Sequence, residues 1–289
     1  MTALDEITAT ITAVAEKAGA AVVGVNRHGT GFVVADGFVV TNAHNLRGEA
    51  SYVTFADGHG VTGTSAGVDL DGDLAVVAVD TTGTAPLEFS TAPVAVGQFV
   101  VTLSNPRGRG LRATIGTISA TGRAFRGPRG RRIPGSIEHT APLARGSSGS
   151  PVLDREGRVV GVNTNRVQEG FYQAIAANDE LTRRIEALSK GEAPVRRRLG
   201  TAIGPPHVTS RLRAAAGLPE VEGLLVRSVE EGSPAERAGL LRGDVLLRAG
   251  SIELTSVDAL YEALDLAGDS LELAIARAAD ELTVTVSFA

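Results

Sequence analysis

The chain has 289 residues, 28 Lys+Arg against 33 Asp+Glu for a net charge of −5, and 43% hydrophobic residues. That balance is globular and exerts no general pull on nucleic acid or an acidic membrane. With no Cys, disulfides, thiolate metal sites and cysteine nucleophiles are excluded, and the length suggests about two domains of ~100–200 residues.

The amino terminus, MTALDEITATITAVAEKAG, carries acids where a signal peptide needs a basic region. No run approaches the ~20 apolar residues of a membrane span. A cytoplasmic location is therefore expected for the chain as it stands, with export open if a leader is removed. Leu4, Ile7, Ile11 and Val14 recur at helical spacing, which predicts a helix over 4–18. After Gly19 short Val/Ile/Phe-rich runs follow one another, broken by Gly, Asp and Asn: AAVVGV, GFVVADGFVVT, SYVTFADG, LAVVAVD, GQFVVTL, ATIGTIS, RVVGVN and FYQAIA. The runs between Phe32 and Thr41 face each other across Ala35-Asp36-Gly37, a hairpin signal. Many short strands without intervening helices predict an antiparallel barrel or sandwich.

Asn178 can cap a helix reaching Ser189, with Asp179 and Glu180 in its first turn and Leu181, Ile185 and Leu188 as its apolar stripe. EAPVRRR then reads as a linker. From about residue 199 the grammar changes. LGTAIG and GLLVRSVE are strand-like, Ser233-Pro234-Ala235-Glu236 is a capping box, and Gly239 stops that helix. Another strand, a helix over Ser256–Ala267 and two alternating runs complete a small mixed α and β domain.

TAPLARGSSGSPVLD, residues 140–154, holds three serines within four positions: Ser147, Ser148 and Ser150. A serine hydroxyl attacks well only when a base takes its proton, and the base needs an orienting carboxylate. Of five histidines, His207 lies in the second domain, and His28 and His59 sit beside turn glycines, where exposure is expected. His139 lies close before the serines, and His44 directly follows an apolar strand that would deliver it to a barrel rim. Among Asp69, Asp71 and Asp73, only Asp73 directly precedes an apolar strand, so it alone is expected at a buried edge. The other two read as loop acids.

GTGFVVADGFVVTNAHNL, DGDLAVVAVD and GSSGSPVLDREGRVVGVNT are similar to the three catalytic segments of chymotrypsin-fold serine proteases of the HtrA type. LGTAIG … GLLVRSVEEGSPAERAGLLRGDVLLRAG resembles the PDZ domain that follows the protease in that family, so the resemblance covers almost the whole chain. It implies a mainly β protein with two antiparallel six-stranded β-barrels over 1–190, a linker over 191–198 and a small α+β PDZ domain over 199–289.

By the same resemblance Ser148 is the nucleophile, His44 the base and Asp73 its orienting acid. The oxyanion hole falls on Gly146, Ser147 and Ser148, with the backbone N–H groups of Gly146 and Ser148 as its donors. A primary pocket is implied at Pro142, Leu143, Ala144, Asn163, Thr164, Ala174 and Ile175. Its small and apolar lining favours an aliphatic side chain, with His139 as the alternative that would favour an acidic one. Leu199, Gly200 and Thr201 resemble a peptide carboxylate-binding loop, and Leu260 and Leu264 are candidate groove residues or simply core.

The expected activity is endoproteolysis of misfolded or unstructured proteins, with peptide C-termini bound by the PDZ domain. A catalytically silent peptide-binding or chaperone protein is the alternative. No metal or organic cofactor is implied. A homotrimer is implied through the amino-terminal segment, although residues 1–25 hold no aromatic. The basic run RAFRGPRGRRIPG, 123–135, falls where the family has a regulatory loop; it is read as solvated or as contacting a PDZ domain, a neighbouring subunit or peptide carboxylates. Nucleic acid is a poor fit there, with Phe125 the one aromatic. Two departures stand out: Asn45 follows His44 where an apolar residue is usual, and Thr140 stands where Asp is common. Pro142 and Arg145 also lie close before the oxyanion turn, which in this family can be collapsed at rest and ordered on activation.

Overall fold

A computed structural model describes residues 2–127, 130–192 and 197–288. Two compact units emerge, Met1–Pro194 and Val195–Ala289. Much of the expected linker, 193–196, lies outside the described residues.

The first unit opens with α1 (Ala3–Ala18), capped reciprocally by Thr2 and Asp5. Only the second half of its apolar stripe is used. Val14 and Ala18 are buried, whereas Leu4 is 74% exposed and Ile7 42%. Strands β1 (Val22–Val25), β2 (Gly29–Ala35), β3 (Phe38–Thr41), β4 (Ala50–Thr54), β5 (Gly60–Asp69) and β6 (Leu74–Ala78) close into a barrel in the order β1-β2-β3-β6-β5-β4. The hairpin expected across Asp36-Gly37 is β2–β3, with Gly37 at φ 81.

A second closed barrel uses β7 (Phe99–Ser104), β8 (Arg112–Arg126), β9 (Arg132–His139), β10 (Pro151–Leu153), β11 (Val159–Gln168) and β12 (Phe171–Ala176) in the order β10-β11-β12-β9-β8-β7. Closure leaves neither barrel an open strand edge. α2 (Asp179–Ser189) follows, capped by the Asn178 side chain on Leu181 N–H, and packs on β5 and β6 through Leu181, Ile185 and Leu188.

The basic run at 123–135 corrects one expectation. Where described it is largely the tip of a paired arm, with β8 continuing to Arg126 and β9 starting at Arg132. Polar residues on a two-stranded arm need not alternate with apolar ones, so the strand signal was missing. Pro128 and Arg129 lie outside the described residues.

In the second unit, β13 (Thr201–Gly204), β14 (Leu224–Val229), β15 (Val245–Ala249), β16 (Ile252–Glu253), β17 (Ser270–Arg277) and β18 (Asp280–Ser287) form one sheet, ordered β13-β14-β15-β17-β18 with β16 on β15. Helices α3 (Pro206–Ala215), α4 (Pro234–Arg237) and α5 (Val257–Leu266) accompany it. α3 escaped the sequence reading because Pro205 and Pro206 mask its start. The α4 box is only half as expected: Ser233 Oγ accepts from Glu236 N–H, but the Glu236 carboxylate accepts from Gly232 N–H rather than from Ser233.

Candidate active site

The end of β3 leads into a short 3₁₀ turn at Ala43–Asn45 that carries His44. Asp73 closes the turn before β6 with a left-handed φ of 50, a conformation costly for a non-glycine residue unless its surroundings hold it. They do so here. Asp73 is 2% exposed, and both carboxylate oxygens lie 2.9 Å from His44 Nδ1. His44 N–H donates to Oδ1 at 3.2 Å, and Thr164 Oγ donates to Oδ2 at 2.6 Å. Asn42 Nδ2 donates to the Asp73 carbonyl at 2.9 Å. These contacts orient the imidazole with Nδ1 toward the carboxylate as a donor, leaving Nε2 able to accept a proton.

Ser148 lies on the β9–β10 connection and lines, with His44, Asp73 and Thr164, one cavity of about 330 Å³. Its hydroxyl donates to the Thr164 carbonyl at 3.2 Å. Thr164, read from the sequence as pocket wall, therefore serves both the acid and the serine.

Gly146, at φ 91, sits in a turn closed by Ser147 N–H on the Ala144 carbonyl at 3.1 Å. Among the described residues the N–H groups of Gly146 and Ser148 donate no hydrogen bond, whereas Ser147 is buried, with its hydroxyl on Ser104 Oγ at 3.2 Å. The first barrel grips this turn. Thr30 Oγ donates to the Gly146 carbonyl at 2.8 Å, and the Ser148 carbonyl accepts from Thr30 N–H and from Asn45 Nδ2, both at 2.9 Å. Thr30, Asn42 and Asn45 were not legible as site residues. The polar run around His44, TNAHN, was the available signal.

Asp69 and Asp71 correct a second expectation, because both are buried, at 3% and 8% exposure. Each has a guanidinium: Arg184 Nη2 on Asp69 at 2.8 Å and the buried Arg131 on Asp71 at 3.8 Å. Burial of a carboxylate beside an arginine is tolerable where burial alone is not. Both arginines come from distant parts of the chain.

The implied pocket is only partly a surface. Pro142 is exposed, Leu143 and Ala144 are half-buried, and Asn163 is fully buried. Ala174 packs in the second barrel's interior, and Ile175 joins the unit's main core. His139 is also fully buried. Asn163 Nδ2 donates to Ser150 Oγ, so its Oδ1 accepts from His139 Nε2 at 2.7 Å, and His139 Nδ1 has no hydrogen-bond partner among the described residues. Burial pushes the His139 pKa below the ordinary value despite the opposing Asn163 contact, and the fully buried ring offers no surface to a substrate carboxylate in this geometry. His28 and His59 are exposed as expected.

In the second unit, Leu199 is buried and Gly200 takes φ 79 close against Ser233. A side chain at 200 would fail on both counts. β13 is an edge strand. Leu260 and Leu264, each 4% exposed, belong to the hydrophobic core.

Two six-stranded barrels with a His–Asp pair and a serine on a shared cavity define a trypsin-like serine protease. Residues 29–162 match the model of the trypsin-like peptidase domain and residues 225–277 that of the PDZ domain. A protein of Chlamydia muridarum named as a periplasmic, DegP-like serine endoprotease is 34% identical over 276 residues, covering 90% of this chain and 54% of that one. The HhoA protein of Synechocystis sp. is 31% identical over 278 residues, covering 90% of this chain and 70% of that one. The mitochondrial serine protease HTRA2 of Drosophila pseudoobscura pseudoobscura is 30% identical over 280 residues, covering 90% and 65%. Among solved structures, the HtrA-type protease AlgW with decapeptide superposes with a TM-score of 0.72 at 22% identity, covering 96% of this chain and 97% of that one. The serine endoprotease from Yersinia pestis gives 0.68 at 24% identity, with 96% of each chain covered. At that identity the likeness concerns the fold. The chain belongs to the HtrA/DegP family of serine proteases. It spans about half the length of the first Chlamydia relatives, 54% and 53%.

Proposed function

We propose that the chain is a serine endopeptidase that hydrolyses peptide bonds in misfolded or unstructured proteins, with the protease domain over 1–190 and the PDZ domain over 199–289. Ser148 attacks the peptide carbonyl while His44 Nε2 takes its proton and returns it to the leaving amine. Asp73 orients the ring and stabilises the imidazolium. The N–H groups of Gly146 and Ser148 receive the developing oxyanion, where one donor is typically worth about 10²–10³ in rate. An acyl-enzyme forms on Ser148, and water releases it by the same proton route in reverse.

The observation carrying this reading is the His44–Asp73 pair on one cavity with Ser148, where the N–H groups of Gly146 and Ser148 have no acceptor among the described residues. A preference for a small aliphatic side chain before the scissile bond is the reading of Pro142, Leu143 and Ala144. The open edge of β13 beside Gly200 supports capture of a peptide C-terminus as an added strand. The exposed Leu4 and Ile7 on α1 support self-association, and a trimer is the proposed state.

Among the described residues no helix is long and apolar enough to cross a membrane. Relatives named periplasmic and mitochondrial lend no support to the cytoplasmic placement expected from the amino terminus.

Labelling by a fluorophosphonate and cleavage of casein test the mechanism directly. Wild type should react in both assays and Ser148→Ala in neither; identical behaviour of the two proteins would sink the proposal and favour a silent peptide-binding protein.

A further inference from the structure

A cavity of about 660 Å³ lies in the second unit between α3 and the β13–β14 pair. Small-molecule sites fall in the same range, roughly 300–1,000 Å³. Leu212 of α3, Leu218 just beyond that helix and Leu225 of β14 line it. Leu225 stands on the face of β14 turned away from the core, since its neighbours Leu224 and Val226 are buried on the other face. Leu212 is 51% exposed, so α3 gives this side chain to the cavity rather than to the core.

Two guanidinium groups reach the same cavity, Arg227 from β14 and Arg242 from the turn before β15. Both residues are exposed, and neither has a side-chain hydrogen bond or an ion pair among the described residues. A Cβ built on Gly204 would meet Arg227 Cδ and Leu225 Cβ, both at 3.5 Å, so the stem of Arg227 runs beside Leu225. No Asp or Glu lines the cavity among the described residues. Arg213, a third arginine on its wall, holds the helix instead: Nε donates to the Pro219 carbonyl at 2.8 Å and Nη2 to the Ala278 carbonyl at 3.0 Å. With Thr209 Oγ on the Gly223 carbonyl at 2.7 Å, these bonds fix α3 over the sheet and leave the cavity preformed.

We propose that this cavity binds a single-chain amphipathic carboxylate of the fatty-acid class. The carboxylate lies within reach of Arg227 and Arg242, whose forks suit it, and the alkyl chain covers Leu212, Leu218 and Leu225. An extended peptide is the poorer occupant. β13 and β14 pair with each other along this wall, Ala202 with Ser228 and Ile203 with Val226, and leave no ladder edge for an added strand. The open edge of β13 is a separate surface. Ala202 to Leu218 supply one wall of the cavity and precede the 225–277 span that matches the PDZ model. The site stands apart from the protease reading and needs nothing from Ser148.

The test is calorimetric titration of the full chain with decanoate, below the concentration at which it forms micelles. Decanoate should bind with a Kd on the order of 0.1 mM. Decyltrimethylammonium has the same tail and the opposite charge. It should bind at least about tenfold more weakly, although the net charge of −5 favours a cation over the surface at large. Acetate, a head without a tail, should give no measurable binding. Arg227→Gln/Arg242→Gln should weaken decanoate about tenfold, and Leu212→Gln about threefold. Urea midpoints should stay unchanged in both variants, because all three side chains are exposed. No measurable decanoate binding, acetate or the cation bound as tightly, or full affinity in either variant would overturn the site.

Discussion

Asn45 Nδ2 donates a 2.9 Å hydrogen bond to the carbonyl of Ser148, joining the turn that carries His44 to the turn that carries Ser148. The same amide donates to Thr41 Oγ at 2.9 Å, and Asn45 is 1% exposed. An apolar residue, usual after this histidine in the resembled family, offers no donor here. The substitution that looked like a departure is a brace on the Ser148 backbone. Asn45→Leu should lower stability by about 1–3 kcal/mol. It should also lower kcat tenfold or more with little change in KM, short of the ~10²–10³ for loss of a whole oxyanion donor. A folded Asn45→Leu protein with wild-type kcat would show that Thr30 alone holds the turn.

Gly149 follows Ser148 at φ 88, where a Cβ would run into the Thr30 carbonyl and Thr41 Oγ. Gly149→Ala combines a left-handed backbone with a clash against main chain, so a loss of at least ~2 kcal/mol is expected. Thermal unfolding measures it, and an unchanged Tm would mean that the barrels can part there without cost.

His139 makes stability pH-dependent. Its folded pKa lies below the ordinary 6.5 because of burial, so the unfolded chain binds the proton more readily. Stability should be complete above that ordinary value and decline as pH falls below it. His139→Gln can keep a donor toward Asn163 and cannot titrate. Comparing urea midpoints at about pH 7.5 and about pH 5 should show a smaller drop for the variant than for wild type. Equal drops would place the acid sensitivity elsewhere.

Arg184 supports the acid-bearing turn through Asp69, whose side chain is 2% exposed. Arg184→Met removes one charged partner of that buried carboxylate and should cost roughly 3 kcal/mol. Adding Asp69→Asn to the same protein removes that buried charge and should recover part of the loss. Chemical denaturation of the three proteins checks this; no recovery in the double variant would assign the cost to lost packing of the Arg184 stem.

The succession of strands along the chain, the Asn178 cap of α2 and the choice of His44, Asp73 and Ser148 as candidates, which share one cavity, could be read from local patterns. Apolar alternation, capping residues and glycine turns act over a few neighbouring positions, and the three motifs each occupy one short segment. What tertiary structure decided was burial and pairing. Asp69 and Asp71 looked like solvated loop acids until arginines from α2 and the β8–β9 arm met them, Arg184 lying 115 residues from Asp69. His139 and Asn163 looked like pocket walls until barrel closure removed them from solvent. Asn45 reaches Ser148 across 103 residues of chain. Desolvation and hydrogen-bond geometry depend on atoms brought together only when both barrels close, and no local window of sequence contains them.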